Sequence, residues 1–177
     1  DGVLVGIGTV LQDDPELTVR MVPGASPMRI VLDSKLQLPE AAKVLNQNAA
    51  TTVFTSELSA PERRQELRAA GVRVEVVDRT PDGIDLAAML HCLRASGTES
   101  LLVEGGARVI TSLLGAGLVD RIIVAVAPIM IGEGTAAVGP LGITEIGEGI
   151  RLENRSIFPI DDDVLLAWDI TRTPSPS

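Results

Sequence analysis

The chain has 177 residues, 45% hydrophobic and 22% charged, a composition typical of a globular protein with a core of its own. Its net charge of −9 and its two Phe, one Trp and no Tyr disfavour nucleic acid as a partner, because phosphates need basic groups and bases need aromatic surfaces. The longest uncharged apolar stretch, residues 122–132, is too short to span a bilayer, so we expect no membrane insertion. We expect a single domain over residues 1–177.

The only cysteine, Cys92, directly follows the only histidine, His91. A single cysteine excludes an intrachain disulfide and favours a reducing compartment, which we take to be the cytoplasm. Two such residues in one predicted helix supply neither a zinc ligand set nor a nucleophile with its base. We therefore expect no metal site and no hydrolase of the Ser/His or Cys/His type.

The first predicted strand covers residues 3–8, an all-apolar, glycine-spaced run typical of a strand buried on both faces. Because the chain begins at Asp1, without Met, directly before this run, we expect that an upstream segment is missing. The Asp-Asp-Pro sequence at 13–15 predicts a turn. A short extended piece is expected over 17–20, followed by a Pro/Gly loop over 21–27.

Two helices are predicted in the middle of the chain. The first covers residues 61–70, with Ser59 as its cap and Gly71 as its stop. The second covers residues 85–95, which carry one apolar stripe and precede a glycine. Strands are predicted around these helices, over residues 29–34, 51–56 and 72–77.

A buried strand over residues 101–103 ends at a carboxylate, Glu104, and turns through Gly105 and Gly106 into a helix over residues 109–114. The start of a helix presents backbone N–H groups and the positive end of the helix dipole, which favour phosphate. Two glycines at such a turn are also compatible with tight packing alone, and a carboxylate is stabilised at a helix start in any case. The pattern is neither a P-loop nor the G-x-G-x-x-G fingerprint, and Gly6-x-Gly8 lacks the third glycine and a following helix.

The last third of the chain is predicted to be mainly extended. A β-branched strand over residues 119–126 precedes a glycine-rich loop over 135–149. Strands over 151–157 and 164–170 flank a short acidic turn and predict an antiparallel hairpin. Residues 171–177 form a polar tail that we expect to be frayed.

The alternation of strands and helices predicts an α/β fold with a mostly parallel sheet, flanked by helices and finished by the antiparallel hairpin. In such sheets ligands bind beyond the carboxyl ends of the strands. Polar residues follow the predicted strands at that edge and predict a site there: Thr9, Asp33, Ser34, Thr55 and Glu104.

Three stretches, residues 8–20 (GTVLQDDPELTVR), 29–34 (RIVLDS) and 102–106 (LVEGG), closely resemble the pyrimidine reductases of riboflavin biosynthesis. The resemblance covers essentially the whole chain and implies a dihydrofolate-reductase-like fold and a homodimer. It implies that NADPH reduces the ribosylamino side chain of a 5-amino-6-ribosylamino-pyrimidine 5′-phosphate to ribitylamino. The family also carries an upstream Ser-Leu-Asp-Gly strand, which is absent before Asp1, and the zinc deaminase signature does not occur in this sequence.

The resemblance further implies the site residues. Substrate would be bound by Leu17, Arg20 and Glu104, with Arg20 suited to its phosphate. The cofactor would be bound by Thr9, Asp13, Ser34, Gly106, Ala107, Arg108, Val109, Ile110, Thr111 and Ser112, the last seven holding its pyrophosphate. Two alternatives remain: a reductase of a pteridine on the same fold, and a non-catalytic nucleotide-binding domain.

Overall fold

A computed structural model describes residues 1–81 and 83–171. The chain divides into two compact units, residues 1–110 and the residues from Thr111 onward. The predicted tail lies outside the described residues after Thr171, and the single domain stays a prediction.

In chain order the elements of the first unit are β1 (Gly2–Gly6), α1 (Ile7–Asp13), β2 (Met28–Leu32), β3 (Thr51–Thr55), α2 (Pro61–Ala69), β4 (Arg73–Val76), β5 (Arg79–Thr80), β6 (Gly83–Ile84), α3 (Leu86–Ala95), β7 (Leu101–Val103) and α4 (Ala107–Gly115), which begins in this unit. Five of the strands form a fully parallel sheet with the order β4-β3-β2-β1-β7. A two-stranded hairpin, β5-β6, stands apart from it and was not predicted.

The parallel sheet is covered on both faces, as its apolar strands require. Successive side chains of β1 belong to opposite layers of the core: Val5 packs in one cluster with Leu67 of α2, and Leu4 packs in another with Met89 of α3. The central strand β1 is buried from Gly2 to Gly6.

The predicted strands of this unit are confirmed in position, with small shifts at their ends. The prediction that the strand over 101–103 is buried was wrong: β7 lies at the edge of the sheet, Leu102 is 51% exposed, and Leu101 and Val103 are only partly buried.

The order of the strands creates a switch point between β1 and β7. From β1 the chain adds β2, β3 and β4 on one side and then returns to place β7 on the other side. The chain leaves β1 toward β2, on the side away from β7, so the strand order reverses between β1 and β7. The carboxyl ends of the strands at such a point are the usual ligand position in an α/β sheet.

Residues 7–13 form a helix, α1, where the sequence predicted the end of a strand and a turn. The helix ends at Asp14, whose φ of 42° lies in the left-handed region. The prediction that no helix follows Gly6 and Gly8 was therefore wrong. Gly8, Thr9 and Val10 are weak helix formers, so local preference did not reveal the helix.

The other helix ends agree with the sequence except for one cap. Gly71 and Gly97 have φ angles of 85° and 92°, as expected after α2 and α3. Ser59 does not cap α2: the N-cap is Ala60, and the Ser59 hydroxyl donates to the Ser56 carbonyl oxygen over 2.7 Å. The cap of α3 is Asp85, which accepts a hydrogen bond from the Ala88 N–H.

The second unit contains a three-stranded antiparallel sheet with the order β8-β10-β9. Its strands are β8 (Arg121–Val126), β9 (Leu152–Ile160) and β10 (Asp163–Ile170), and a short 3₁₀ turn covers Ile146–Glu148. The predicted hairpin is confirmed, with a two-residue turn in which Asp161 has a φ of 50°. Pro159 is accommodated because β9 lies at the edge of its sheet.

Among the described helices, none has the length and apolar character needed to cross a membrane.

Candidate functional site

The junction between β7 and α4 has the backbone shape that the sequence predicted. The Glu104 N–H donates to the Leu4 carbonyl oxygen over 2.9 Å, which keeps Glu104 in line with β1. Gly105 and Gly106 follow with φ angles of 75° and 79°. Two consecutive left-handed residues are costly for any residue with a Cβ, so both glycines are required by the turn.

Close packing constrains Gly6 and adds a second constraint to Gly106. A Cβ on Gly6 would lie 2.8 Å from Cγ2 of Val109, which is too close. A Cβ on Gly106 would lie 3.2 Å from the Thr9 hydroxyl oxygen. The structure thus brings Thr9, Gly106 and Val109 together at the switch point between β1 and β7.

The two other predicted residues at this edge follow the strands on either side of β1. Glu104 is exposed and follows β7, and Ser34 is partly buried and follows β2, the other neighbour of β1. The Ser34 carbonyl oxygen accepts a hydrogen bond of 2.7 Å from the Ser56 hydroxyl. The exposed edge is therefore formed by polar residues that follow β2, β1 and β7.

Asp33 and Thr55 do not belong to the exposed site, in contrast to the prediction from their position after strands. Both are fully buried. The Asp33 carboxylate accepts hydrogen bonds from the N–H groups of Leu38, over 2.8 Å, and Lys35, over 3.3 Å, so it organises the turn after β2. The sequence pattern does not indicate that the turn after β2 buries Asp33.

The segment from Asp14 to Arg20 carries the two remaining predicted substrate residues. Leu17 has a φ of 54° and packs against the core, whereas Arg20 is exposed. Asp13, a predicted cofactor residue, is exposed at the last position of α1. These positions keep Arg20 and Asp13 accessible to a ligand.

The residues predicted to hold a pyrophosphate fall at the end of the first unit and the start of the second. Within α4, the N–H groups of Val109 and Ile110 donate to the Gly106 carbonyl oxygen over 2.9 and 3.2 Å. The Thr111 hydroxyl accepts a hydrogen bond of 2.7 Å from the Gly139 N–H, inside the second unit. Ser112 is partly buried.

Several exposed cations form no ion pair with the residues that the structure describes, and three of them, Arg20, Lys35 and Arg108, lie in or next to the predicted site segments. Lys35 directly follows Ser34 and was not singled out in the sequence, where an isolated lysine carries no signal. Cations without a carboxylate partner are available to a phosphorylated ligand.

His91 and Cys92 lie on α3, as predicted. Over residues 1–81 and 83–171, no three His, Cys, Asp or Glu side chains are grouped as metal ligands would be.

Residues 1–166 match the family model of the RibD C-terminal domain. The chain belongs to this family. The predicted riboflavin-biosynthesis pyrimidine reductase family is thereby confirmed, and residues 1–166 span both units.

Two curated relatives show the range of proteins that contain this domain. The 2,5-diamino-6-ribosylamino-4(3H)-pyrimidinone 5′-phosphate reductase of Methanothermobacter thermautotrophicus is 39% identical over 175 residues, which cover 96% of this chain and 80% of the relative. The riboflavin biosynthesis protein RibD of Aquifex aeolicus is 39% identical over 165 residues, covering 93% of this chain but 45% of the relative. The chain thus spans less than half the length of that RibD protein.

Solved structures confirm the dihydrofolate-reductase-like α/β fold. RibD of Acinetobacter baumannii superposes with a TM-score of 0.81 at 27% identity, over 96% of this chain and 47% of that one. The riboflavin biosynthesis reductase Rib7 of Saccharomyces cerevisia superposes with a TM-score of 0.72 at 26% identity, over 97% of this chain and 76% of that one.

Proposed function

We propose that this RibD C-terminal domain is an NADPH-dependent oxidoreductase of riboflavin biosynthesis, which reduces the ribosylamino side chain of a 5-amino-6-ribosylamino-pyrimidine 5′-phosphate to ribitylamino. The observation that carries the proposal is the left-handed Gly105–Gly106 turn, packed on Thr9 at the switch point and preceded by the exposed carboxylate of Glu104. Family relatives named as reductases of such a phosphate support it.

The junction suits a dinucleotide. Because neither glycine carries a Cβ, a pyrophosphate can approach the backbone at the start of α4, where the helix dipole favours negative charge. We assign cofactor binding to Thr9, Asp13, Ser34 and the seven residues from Gly106 to Ser112. Lys35 and Arg108, both exposed cations, are suited to the 2′-phosphate that distinguishes NADPH from NADH.

Substrate binding is assigned to Leu17, Arg20 and Glu104. Arg20 is exposed and unpaired in the described part of the chain, so its guanidinium can bind the substrate phosphate in two parallel hydrogen bonds. Leu17, three positions before Arg20, offers an apolar side chain to the substrate.

The proposed reaction converts C1′ of the ring-opened ribosylamine, an imine-like carbon, into a methylene group. It consumes one proton, at the neighbouring nitrogen, and one hydride, which a bound nicotinamide cofactor supplies. The carbon accepts the hydride directly, so no covalent enzyme intermediate is needed. We assign to Glu104 the binding of the substrate's polar groups and the stabilisation of positive charge at that nitrogen.

The function is tested with the purified chain by following oxidation of NADPH, and separately of NADH, with the pyrimidine phosphate or with dihydrofolate. We expect turnover with the pyrimidine and a preference for NADPH. Turnover with dihydrofolate would favour the pteridine reductase, and NADPH binding without any turnover would favour a non-catalytic domain.

The Glu104→Gln variant tests the assigned carboxylate. It preserves shape but removes the charge, and we expect turnover to fall by about 100-fold. Because Glu104 is assigned to substrate, the dissociation constant of NADPH, measured by fluorescence, should stay near the wild-type value. Unchanged turnover would refute the role of Glu104 without affecting the cofactor assignment.

We also propose that the protein is a cytoplasmic homodimer. Large apolar side chains are half exposed on both faces of the antiparallel sheet: Ile123 at 55% and Phe158 at 52% lie on one face, and Ile157 at 52% lies on the other. A surface of this kind is stabilised by burial against a second copy. The unpaired thiol of Cys92 is compatible with a reducing compartment.

A further inference from the structure

The segment from Asp14 to Arg20 forms neither helix nor strand, although it carries Leu17 and Arg20. It contains two non-glycine residues with positive φ, Asp14 at 42° and Leu17 at 54°. Such angles are unfavourable for residues with a Cβ and persist only where surrounding contacts impose them. The conformation of this segment therefore depends on the residues that hold it.

One of those residues is Arg29, at the second position of β2. Its side chain is fully buried. One terminal nitrogen, Nη1, donates to Asn46 Oδ1 over 2.7 Å and to the carbonyl oxygens of Lys43 over 3.4 Å and Glu16 over 3.5 Å. The other, Nη2, donates to the carbonyl oxygens of Asn46 and Ala49. A single side chain thus links the sheet to Glu16 and to the stretch from Lys43 to Ala49.

The charge of Arg29 is held without a direct carboxylate partner. Among the described residues no carboxylate lies within ion-pair distance of it, and its Nε has no hydrogen-bond partner. Burial lowers the pKa of Arg29, and the nearby charge of Glu16 opposes this effect. Since an apolar side chain in a strand avoids such a desolvation cost, stability alone does not explain an arginine here.

Glu16 is fastened to the same stretch by its own side chain. Its Oε1 accepts hydrogen bonds from the amide groups of Asn48, over 2.7 Å, and Asn46, over 3.0 Å. These hydrogen bonds, first from Asn48 and then from Asn46, lower the pKa of Glu16, and the charge of Arg20 contributes in the same direction.

A third link lies at the start of the segment. The Lys43 N–H donates to Asp14 Oδ1 over 2.8 Å, and the Lys43 ammonium group lies 3.5 Å from Asp14 Oδ2. The segment is thus tied at Asp14 and at Glu16, directly before Leu17, to residues that Arg29 also binds.

We propose that Arg29, together with Glu16, is a positioning residue for the substrate: it fixes the backbone between Asp14 and Arg20, so that Leu17 and Arg20 are presented to the ligand in one conformation. This inference rests on the proposed function, because it assigns the substrate to Leu17 and Arg20. Neither Arg29 nor Glu16 is proposed to touch the substrate or the cofactor.

The test replaces Arg29 by Lys, which keeps the positive charge but cannot reproduce the planar, two-nitrogen contact. We expect the KM for the pyrimidine phosphate to rise at least ~10-fold, with a smaller change in kcat, because a misplaced binding group weakens substrate binding first. The dissociation constant of NADPH should remain within about twofold of the wild-type value. Hydrogen exchange, measured by mass spectrometry, should become faster over residues 14–20.

The matched control is Leu93→Ala, a buried change on α3 in the apolar cluster that contains Ile30 of β2 and no residue of the segment from Asp14 to Arg20. It should lower the melting temperature but leave the KM and the exchange of residues 14–20 unchanged. If Arg29→Lys does not fold, Glu16→Ala serves instead, since Glu16 is only partly buried, and the same shifts of KM and exchange are expected.

Two results would overturn the inference: an unchanged KM in the Arg29 or Glu16 variant, or an equal rise of KM in Leu93→Ala. A wild-type chain that reduces no pyrimidine phosphate would instead refute the proposed function and, with it, the assignment of substrate to this segment. Hydrogen exchange would in that case still decide whether Arg29 and Glu16 order residues 14–20.

Discussion

Gly106 meets two demands at once, because its backbone is left-handed and its missing Cβ leaves room for Thr9. The first demand is conformational and is shared by glycines throughout the chain. The second is specific to the switch point, where α1 and the turn before α4 are in contact. A substitution at Gly106 therefore combines the backbone strain that any left-handed glycine position would impose with a close contact to Thr9. A substitution at another left-handed glycine separates the two effects.

Gly106→Ala is expected to lower the free energy of unfolding by about 1–2 kcal/mol and to weaken NADPH binding at least ~10-fold. Gly97→Ala is the matched control: its φ of 92° imposes a similar strain, but a Cβ there would meet no atom within 4 Å. The control should lose stability without losing affinity for NADPH. Urea unfolding and NADPH titration measure the two quantities. Equal loss of affinity in both variants would mean that the Thr9 contact does not shape the cofactor site.

The sequence pattern indicated some of the functional residues and gave no indication of others. Glu104 and the two glycines were found because a carboxylate and a Gly-Gly pair are unusual between an apolar strand and a helix. Arg29 was read only as the first residue of a strand. Its role depends on carbonyl oxygens that come from Glu16 and from the stretch beyond β2, and no local pattern connects them.

The helices α2 and α3 differ at their first residue, and this difference predicts a difference in stability. Asp85 caps α3 by accepting the Ala88 N–H, whereas Ala60 leaves α2 without a side-chain cap. Asp85→Ala should lower the free energy of unfolding by about 1 kcal/mol. Ala60→Asp should raise it by about 0.5–1 kcal/mol, since Ala60 is exposed and already has extended backbone angles. Thermal unfolding measures both, and a destabilised Ala60→Asp would contradict this account.

At the level of elements the sequence predicted most of the sheet but not its order. Apolar runs identified the parallel strands, because a strand buried on both faces, as β1 and β3 are, leaves a strong local signal. The C-terminal hairpin was identified by the short acidic turn between its two extended runs. The position of β7 beside β1 was not predictable from those runs, since pairing depends on the whole topology. The helix α1 and the hairpin β5-β6 were missed because they are short and their residues have weak preferences.

Considered as a whole, the molecule exposes more large apolar side chains in its second unit than in its first. β9 is exposed along all nine of its residues and lies at the edge of the antiparallel sheet. Long exposed edges with apolar neighbours favour association with another chain. The charges of Glu153 and Arg155 lie on the same strand and restrict which surface can pair with it.

The homodimer is tested by the mass in solution, using light scattering after size-exclusion chromatography. Wild type should elute as a dimer and Ile123→Lys as a monomer, because a two-fold interface would bury the new charge twice. Leu58→Lys is the matched control, since Leu58 is 49% exposed but lies in the first unit. A monomeric wild type, or a dimeric Ile123→Lys, would refute dimerisation through this sheet.

The pairing of β1 with β7 determines when the proposed dinucleotide site can form during folding. The Asp1 carboxylate accepts hydrogen bonds from the N–H groups of Glu99 and Ser100, and the first of these contacts spans 98 positions of the chain. Thr9 and Gly106 come into contact only after the two ends of this long loop have met. Loop closure over so many residues is among the slow steps of folding. Affinity for a dinucleotide should therefore develop late, with the completed sheet. During refolding, we expect the recovery of NADPH binding to follow the addition of the edge strand β7 to β1 rather than the formation of any single helix.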